Sequence, residues 1–288
     1  MRFVGPLANC TRLIDSRGIE IDMRVVAFDC RCVFHYINVD IRRMNSSFNK
    51  RIICGKRITK PDAKLITGRK MMGEIYFVRH GQASFGAANY DKLSDLGHQQ
   101  AEWLGAYLAD TIGGFDHVVS GDLLRHRQTL AGILKTLKHA NYAEDPRLNE
   151  MSYFVMEQAY REQTGAKIPG NARDLERHFT NVMRAWETGE IEGCIESFTE
   201  FHDRILQVVG DVSAPGKKVL VVSSGGPVGV LLRHVLSLGL PAMTDIILGT
   251  HNASVTRFMV LEDGLRLMQF NGVAHLEQPD RQHALTFL

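Results

Sequence analysis

Apolar and polar positions fall into two regimes along this chain. Over residues 1–70 the apolar pieces are short, such as Val25-Val26-Ala27-Phe28, and keep neither period 2 nor period 3.6. From residue 74 the pattern turns regular. Glu74-Ile75-Tyr76-Phe77-Val78-Arg79 is an apolar run rich in strand formers, closed by His80-Gly81. Ser94 then opens a helical pattern with Leu96, Trp103, Leu104, Tyr107 and Leu108 on one face. His117 to Ser120 reads as a second strand, and Leu123 to Leu137 as a second helix. Helical spacing returns over 171–188, through Leu175, Phe179, Val182, Met183 and Trp186, and again with Phe198, Phe201, Ile205, Leu206 and Val209. Lys218 to Ser223 has the continuous apolar interior of a buried strand, and Val228 to Leu238 predicts a helix that Gly239 ends. Strands at Ser254–Leu261 and Leu265–Phe270 follow, joined by the turn Glu262-Asp263-Gly264.

Alternating strands and helices predict an α/β class protein, a three-layer α/β/α sandwich on a mostly parallel sheet. The closing strands are too close for a crossover, so they supply an antiparallel edge strand. The regular pattern defines a domain over 72–288, preceded by a segment, 1–71, of different character.

Charge sharpens that division. Residues 1–70 hold 15 Lys/Arg against 6 Asp/Glu, while the remainder holds 19 against 26. Four of the five cysteines, Cys10, Cys30, Cys32 and Cys54, also lie in the first part. Their spacing is not that of a zinc knuckle, and the odd count argues against a disulfide framework. The segment lacks the aromatic-and-basic stripe of a nucleic-acid arm, and its acidic residues break a transit-peptide pattern. It reads as a basic extension, disordered or upstream of the natural start, with nucleic acid an unsupported partner. No apolar run approaches the roughly 20 residues needed to span a bilayer, and no secretory pattern follows Met1. A cytoplasmic protein with no membrane partner is the expectation.

In open α/β sheets ligands bind at the carboxyl ends of the strands. Three polar-and-glycine clusters fall there: Arg79-His80-Gly81, Ser120-Gly121-Asp122 leading to Arg125, and Ser223-Ser224-Gly225-Gly226. Glu150 closes a fourth segment, Pro146-Arg147-Leu148-Asn149-Glu150. Two arginines supply donor forks matched to phosphate, and a histidine supplies a nitrogen nucleophile that is largely neutral near pH 7. The Gly225-Gly226 turn opens a helix, whose N–H groups and dipole favour an anion. A carboxyl group can protonate a leaving oxygen. Such a set suits phosphoryl transfer with neither metal nor cofactor.

These residues resemble the histidine phosphatase superfamily, the phosphoglycerate mutase-like family, over about residues 74–275. The resemblance rests on Tyr76-Phe77-Val78-Arg79-His80-Gly81, on Leu93-Ser94-Asp95-Leu96-Gly97-His98-Gln99-Gln100-Ala101, on Ser120 through Thr129, and on Leu148-Asn149-Glu150. It implies that His80 takes the phosphoryl group, that Arg79 and Arg125 bind phosphate, and that Glu150 exchanges the proton of the leaving group and then of water. The family usually carries Ser-His-Gly-Gly after its late strand; here Ser224 stands in place of that second histidine, beside Gly225. A serine offers a neutral hydrogen bond without an imidazolium charge. His251 is a candidate replacement, weighed against a surface or capping role. His98, His126, His178, His202 and His234 read as ordinary helix residues.

The implied activity is metal-independent hydrolysis of phosphate monoesters through a phosphohistidine on His80. The alternatives are a catalytically weak phosphate-ligand sensor and mutase-type phosphoryl transfer. Gln82-Ala83-Ser84-Phe85-Gly86 departs from the mutase signature and favours hydrolysis. The expected partner is a small phosphorylated substrate or a phosphohistidine protein. Residues 150–195 are expected to cap the site, with Tyr153, Phe154 and Arg161 facing a leaving group.

Overall fold

The computed structural model describes residues 11–14, 20–23, 71–84, 91–138 and 141–287. Contacts divide the chain into two units, Met1–Lys60 and Pro61–Leu288. In the first unit, strands β1 (Thr11–Ile14) and β2 (Glu20–Met23) pair antiparallel, with Thr11 opposite Met23. The rest of the 1–71 extension, apart from Met71, lies outside the described residues, as do Phe85 and Gly86 of the segment after the Arg-His-Gly.

The second unit is built on a six-stranded sheet. Its elements are β3 (Met71–Arg79), α1 (Asp95–Thr111), β4 (His117–Ser120), α2 (Leu124–Leu134), β5 (Ala143–Glu144), α3 (Tyr153–Thr164), α4 (Ala172–Glu187), α5 (Phe198–Val212), β6 (Lys217–Ser223), α6 (Gly225–Leu236), α7 (Leu240–Gly249), β7 (Val255–Leu261) and β8 (Gly264–Gly272). The strand order is β5-β4-β6-β3-β7-β8. The pairs β5·β4, β4·β6 and β6·β3 are parallel, whereas β7 runs antiparallel to both β3 and β8. The mostly parallel α/β sheet expected from the sequence is therefore present, with its antiparallel strand one in from the β8 edge.

Successive side chains along the central strands point to opposite layers. Tyr76, Val78, Leu220 and Val222 pack against Leu104 and Leu108 of α1 and Leu130 and Ile133 of α2. Ile75, Phe77, Val219 and Val221 pack instead against Val208 and Val209 of α5 and Leu231 and Leu232 of α6. Continuous apolar strands are thus buried on both faces, which makes the three layers.

Several boundaries differ from the sequence pattern. The second helix stops at Leu134 rather than Leu137. The helix after β6 begins at Gly225 and ends at Leu236, with Ser237 in the left-handed conformation at φ 53°. Gly239 is instead the N-cap of α7, a helix that the pattern did not announce. Pro241 sits in the first turn of α7, where its missing N–H costs nothing. The stretch after Glu150 also folds into a helix, α3, of which Met156 is the buried residue. Among the described residues, no helix is long and apolar enough to cross a membrane.

Candidate functional site

The carboxyl end of β3 holds Arg79 and His80 firmly. The His80 N–H donates to the Ser223 carbonyl at 2.9 Å, and the Ala253 N–H donates to the His80 carbonyl at 3.1 Å. Both side chains are buried. The His80 Nδ1 lies 2.7 Å from the Gly81 carbonyl. A carbonyl only accepts, so Nδ1 carries the hydrogen and Nε2 keeps its lone pair. Burial, followed by the charges of Arg125, Arg79 and His126, holds the His80 pKa well below its ordinary value. Its imidazole is neutral at pH 7.

The arginines are anchored from different elements. Arg79 donates through Nη1 to the Thr250 carbonyl. Arg125, in the first turn of α2, pairs with Asp91 at 2.6 Å, and the other Asp91 oxygen accepts from the Leu124 N–H at 2.8 Å. Thr129 ties this helix to the nucleophile loop, since its Oγ1 accepts from the Gly81 N–H and donates to the Arg125 carbonyl.

The other loops close the rim. Glu150 accepts from the Gly226 N–H at 3.1 Å, so its carboxylate sits at the start of α6. A side chain at Gly226 would overlap that carboxylate, whereas one at Gly225 would make only ordinary contacts with Arg79 and Ile247. Ser223 donates to the Leu148 carbonyl at 2.6 Å, and Asn149 exchanges two hydrogen bonds with Asp122. Strand ends that are remote in sequence thereby lock to one another. His80, Glu150, Arg79, Arg125, Ser224 and Gly225 all lie on this rim.

One residue on it reads from the sequence as an ordinary helix position. His126 is fully buried, its ring 5.7 Å from that of His80 between centroids, and its Nε2 is 2.7 Å from the Ser224 Oγ. Burial, then the charge of Arg125, lowers its pKa well below the usual value. The available signal was its place on the stripe 126, 129, 130, 133, which is the buried face of α2. His251 is half-buried, hydrogen-bonds Asn271 at 3.0 Å and meets the Phe287 ring at a tilt. Burial first, and the charge of Arg79 after it, lower its pKa, so it lies within electrostatic reach of that arginine. Arg161 pairs with Glu157, which also meets His178, and Tyr153 packs on Phe179. A cleft of about 380 Å³ lined by Phe198, His202, Arg233 and His234 lies at the C-terminal end of α6, away from this rim.

The family model for the histidine phosphatase superfamily (branch 1) matches residues 75–272, which contain the whole rim. The chain belongs to that superfamily. Among curated proteins, a broad-specificity phosphatase of Saccharomyces cerevisiae is 27% identical over 174 residues, covering 55% of this chain and 68% of that one. Among solved structures, a phosphoglycerate mutase from Bacillus anthracis superposes with a TM-score of 0.55 at 21% identity, over 71% of this chain and 95% of its own. A phosphoserine phosphatase from Entamoeba histolytica gives 0.51 at 19%, over 71% and 100%. At those identities the structural likeness speaks for the superfamily's fold.

Proposed function

We propose that this protein hydrolyses phosphate monoesters through a phosphohistidine on His80, without a metal. The observation that carries the reading is the neutral His80 imidazole beside two arginines, its Nδ1–H held on the Gly81 carbonyl. Its Nε2 lone pair attacks phosphorus as the bond to the leaving oxygen breaks, and the Glu150 carboxyl gives that oxygen its proton. Arg79, Arg125 and the N–H of Gly225 balance the equatorial charge, with Ser224 as a neutral donor. Water then attacks phosphorus, Glu150 takes its proton, and the P–N bond breaks to release inorganic phosphate. The substrate class is a small phosphate ester or a phosphohistidine side chain in the cytoplasm; the broad-specificity yeast phosphatase supports hydrolysis as the reaction.

The test is turnover of p-nitrophenyl phosphate by the full chain in the presence of a chelator, beside His80→Ala and Glu150→Gln. Glu150→Gln is expected to lower kcat by about 10²-fold or more, the usual worth of a general acid. His80→Ala should abolish turnover and the acid-labile phosphoenzyme together. Full activity in His80→Ala would overturn the mechanism. Phosphate binding with no turnover of any ester would favour the phosphate-ligand sensor instead.

A further inference from the structure

The rim contains one buried pair of which the mechanism above gives a task to Ser224 alone. His126 and Ser224 are both fully buried and come from different elements, α2 and the start of α6. Their side chains meet at 2.7 Å. Ser224 occupies the N-cap of α6, yet its hydroxyl makes no capping bond to that helix. The Nδ1 of His126 is buried without a partner and faces Gly121, where any side chain would overlap it.

The tautomer follows from that orphan nitrogen. If Ser224 donated to Nε2, the proton of His126 would sit on Nδ1 as a buried, unpaired N–H. If Nε2 carries the proton, Nδ1 is only an unpaired lone pair, and buried acceptors go unsatisfied more readily than buried donors. Nε2 therefore donates and the Ser224 oxygen accepts. The hydroxyl proton of Ser224 is then free to leave the His126 axis.

We propose that His126 is a positioning residue that acts through Ser224: by donating to its oxygen, it aims the hydroxyl proton at the phosphate carried by His80. This rests on the phosphatase reading and deepens it. The imidazole expected at position 224 is supplied from α2, one residue after a phosphate-binding arginine, with serine as the relay. Two groups hydrogen-bonded in series should lose their effect together, whichever is removed.

That seriality is testable in the full chain with two readouts, p-nitrophenyl phosphate turnover and calorimetric affinity for inorganic phosphate. His126→Phe and Ser224→Ala are each expected to lower kcat and to weaken phosphate binding by about tenfold, one hydrogen bond to a charged group. The double variant H126F/S224A should lose little more than either single one, because the pair is coupled. His126→Gln, which keeps an amide donor, should recover much of the loss. Losses that multiply in the double variant, or a His126→Phe protein that matches the parent, would overturn the proposal. Ser224→Ala removes a single atom from the core, so it reports even if the ring variant fails to fold. Should the parent turn over no ester, the phosphatase reading fails, and the pattern of phosphate affinities still decides on the pair.

Discussion

At the scale of single residues, the site is a set of protonation states fixed by neighbours. His80 must be neutral at Nε2 to attack, and its surroundings enforce this twice. Burial removes the water that would stabilise an imidazolium, and Arg79 and Arg125 repel the extra proton. The expected outcome is that the His80 ring resonances, followed by NMR from pH 8 downward, show no titration at pH 6. A midpoint at the ordinary value of about 6.5 would refute the electrostatic account. The pieces of this constellation were unevenly legible in the sequence. Arg79 and His80 are adjacent, and their strand context is plain, so the chemistry could be read directly. His126 could not, because a histidine on a helix gives no sign of what faces it. The serine at 224 signalled a missing imidazole, while the partner that meets it lies 98 residues away and becomes visible only in three dimensions.

At the scale of elements, two strand-to-helix junctions set the geometry. Gly97, in the first turn of α1, lies against the Gln82 backbone, and Gly226 lies against Glu150, so both places exclude a side chain. Gly226→Ala is expected to push the Glu150 carboxylate out of place while leaving the arginines alone. Turnover should then fall by about 10²-fold, the scale of an ångström of misplacement, with phosphate affinity little changed. Equal losses in both would show that the junction itself had collapsed. Gly97→Ala meets backbone rather than a movable side chain, so its expected outcome is a loss of about 1–3 kcal/mol in urea unfolding. Unchanged stability there would mean that α1 can slide. The junctions were readable because glycines punctuate apolar runs. Helices α3 and α7 were not. In α3, Phe154 and Val155 are exposed, which erases the 3.6-residue stripe. In α7, Gly239 and Pro241 look like a stop, although in the structure they start a helix.

At the scale of the whole molecule, the three layers bury histidines that water would keep titratable. His80 and His126 lie on the rim, and His275 lies against the ring of Tyr107 with neither of its nitrogens partnered. Burial, then the charge of Arg281, pulls the His275 pKa down to about 4. The unfolded chain takes up protons at these sites near pH 6.5, whereas the folded one does not until the pH falls much lower. A lowered histidine pKa therefore contributes stability above pH 6.5 that is lost as the pH falls toward the folded value. For His275 the window runs from pH 6.5 to about 4, and the loss across it is about 3 kcal/mol. His275→Phe removes this linkage without breaking a side-chain hydrogen bond, because the ring makes none. The variant should match or exceed the parent in urea midpoint at pH 7 and exceed it by a wider margin at pH 5. Parallel curves for the two proteins would mean that His275 takes up its proton without unfolding. The acid sensitivity that remains in the variant should then fall again in H275F/H126F, since burial also holds His126 below its ordinary pKa.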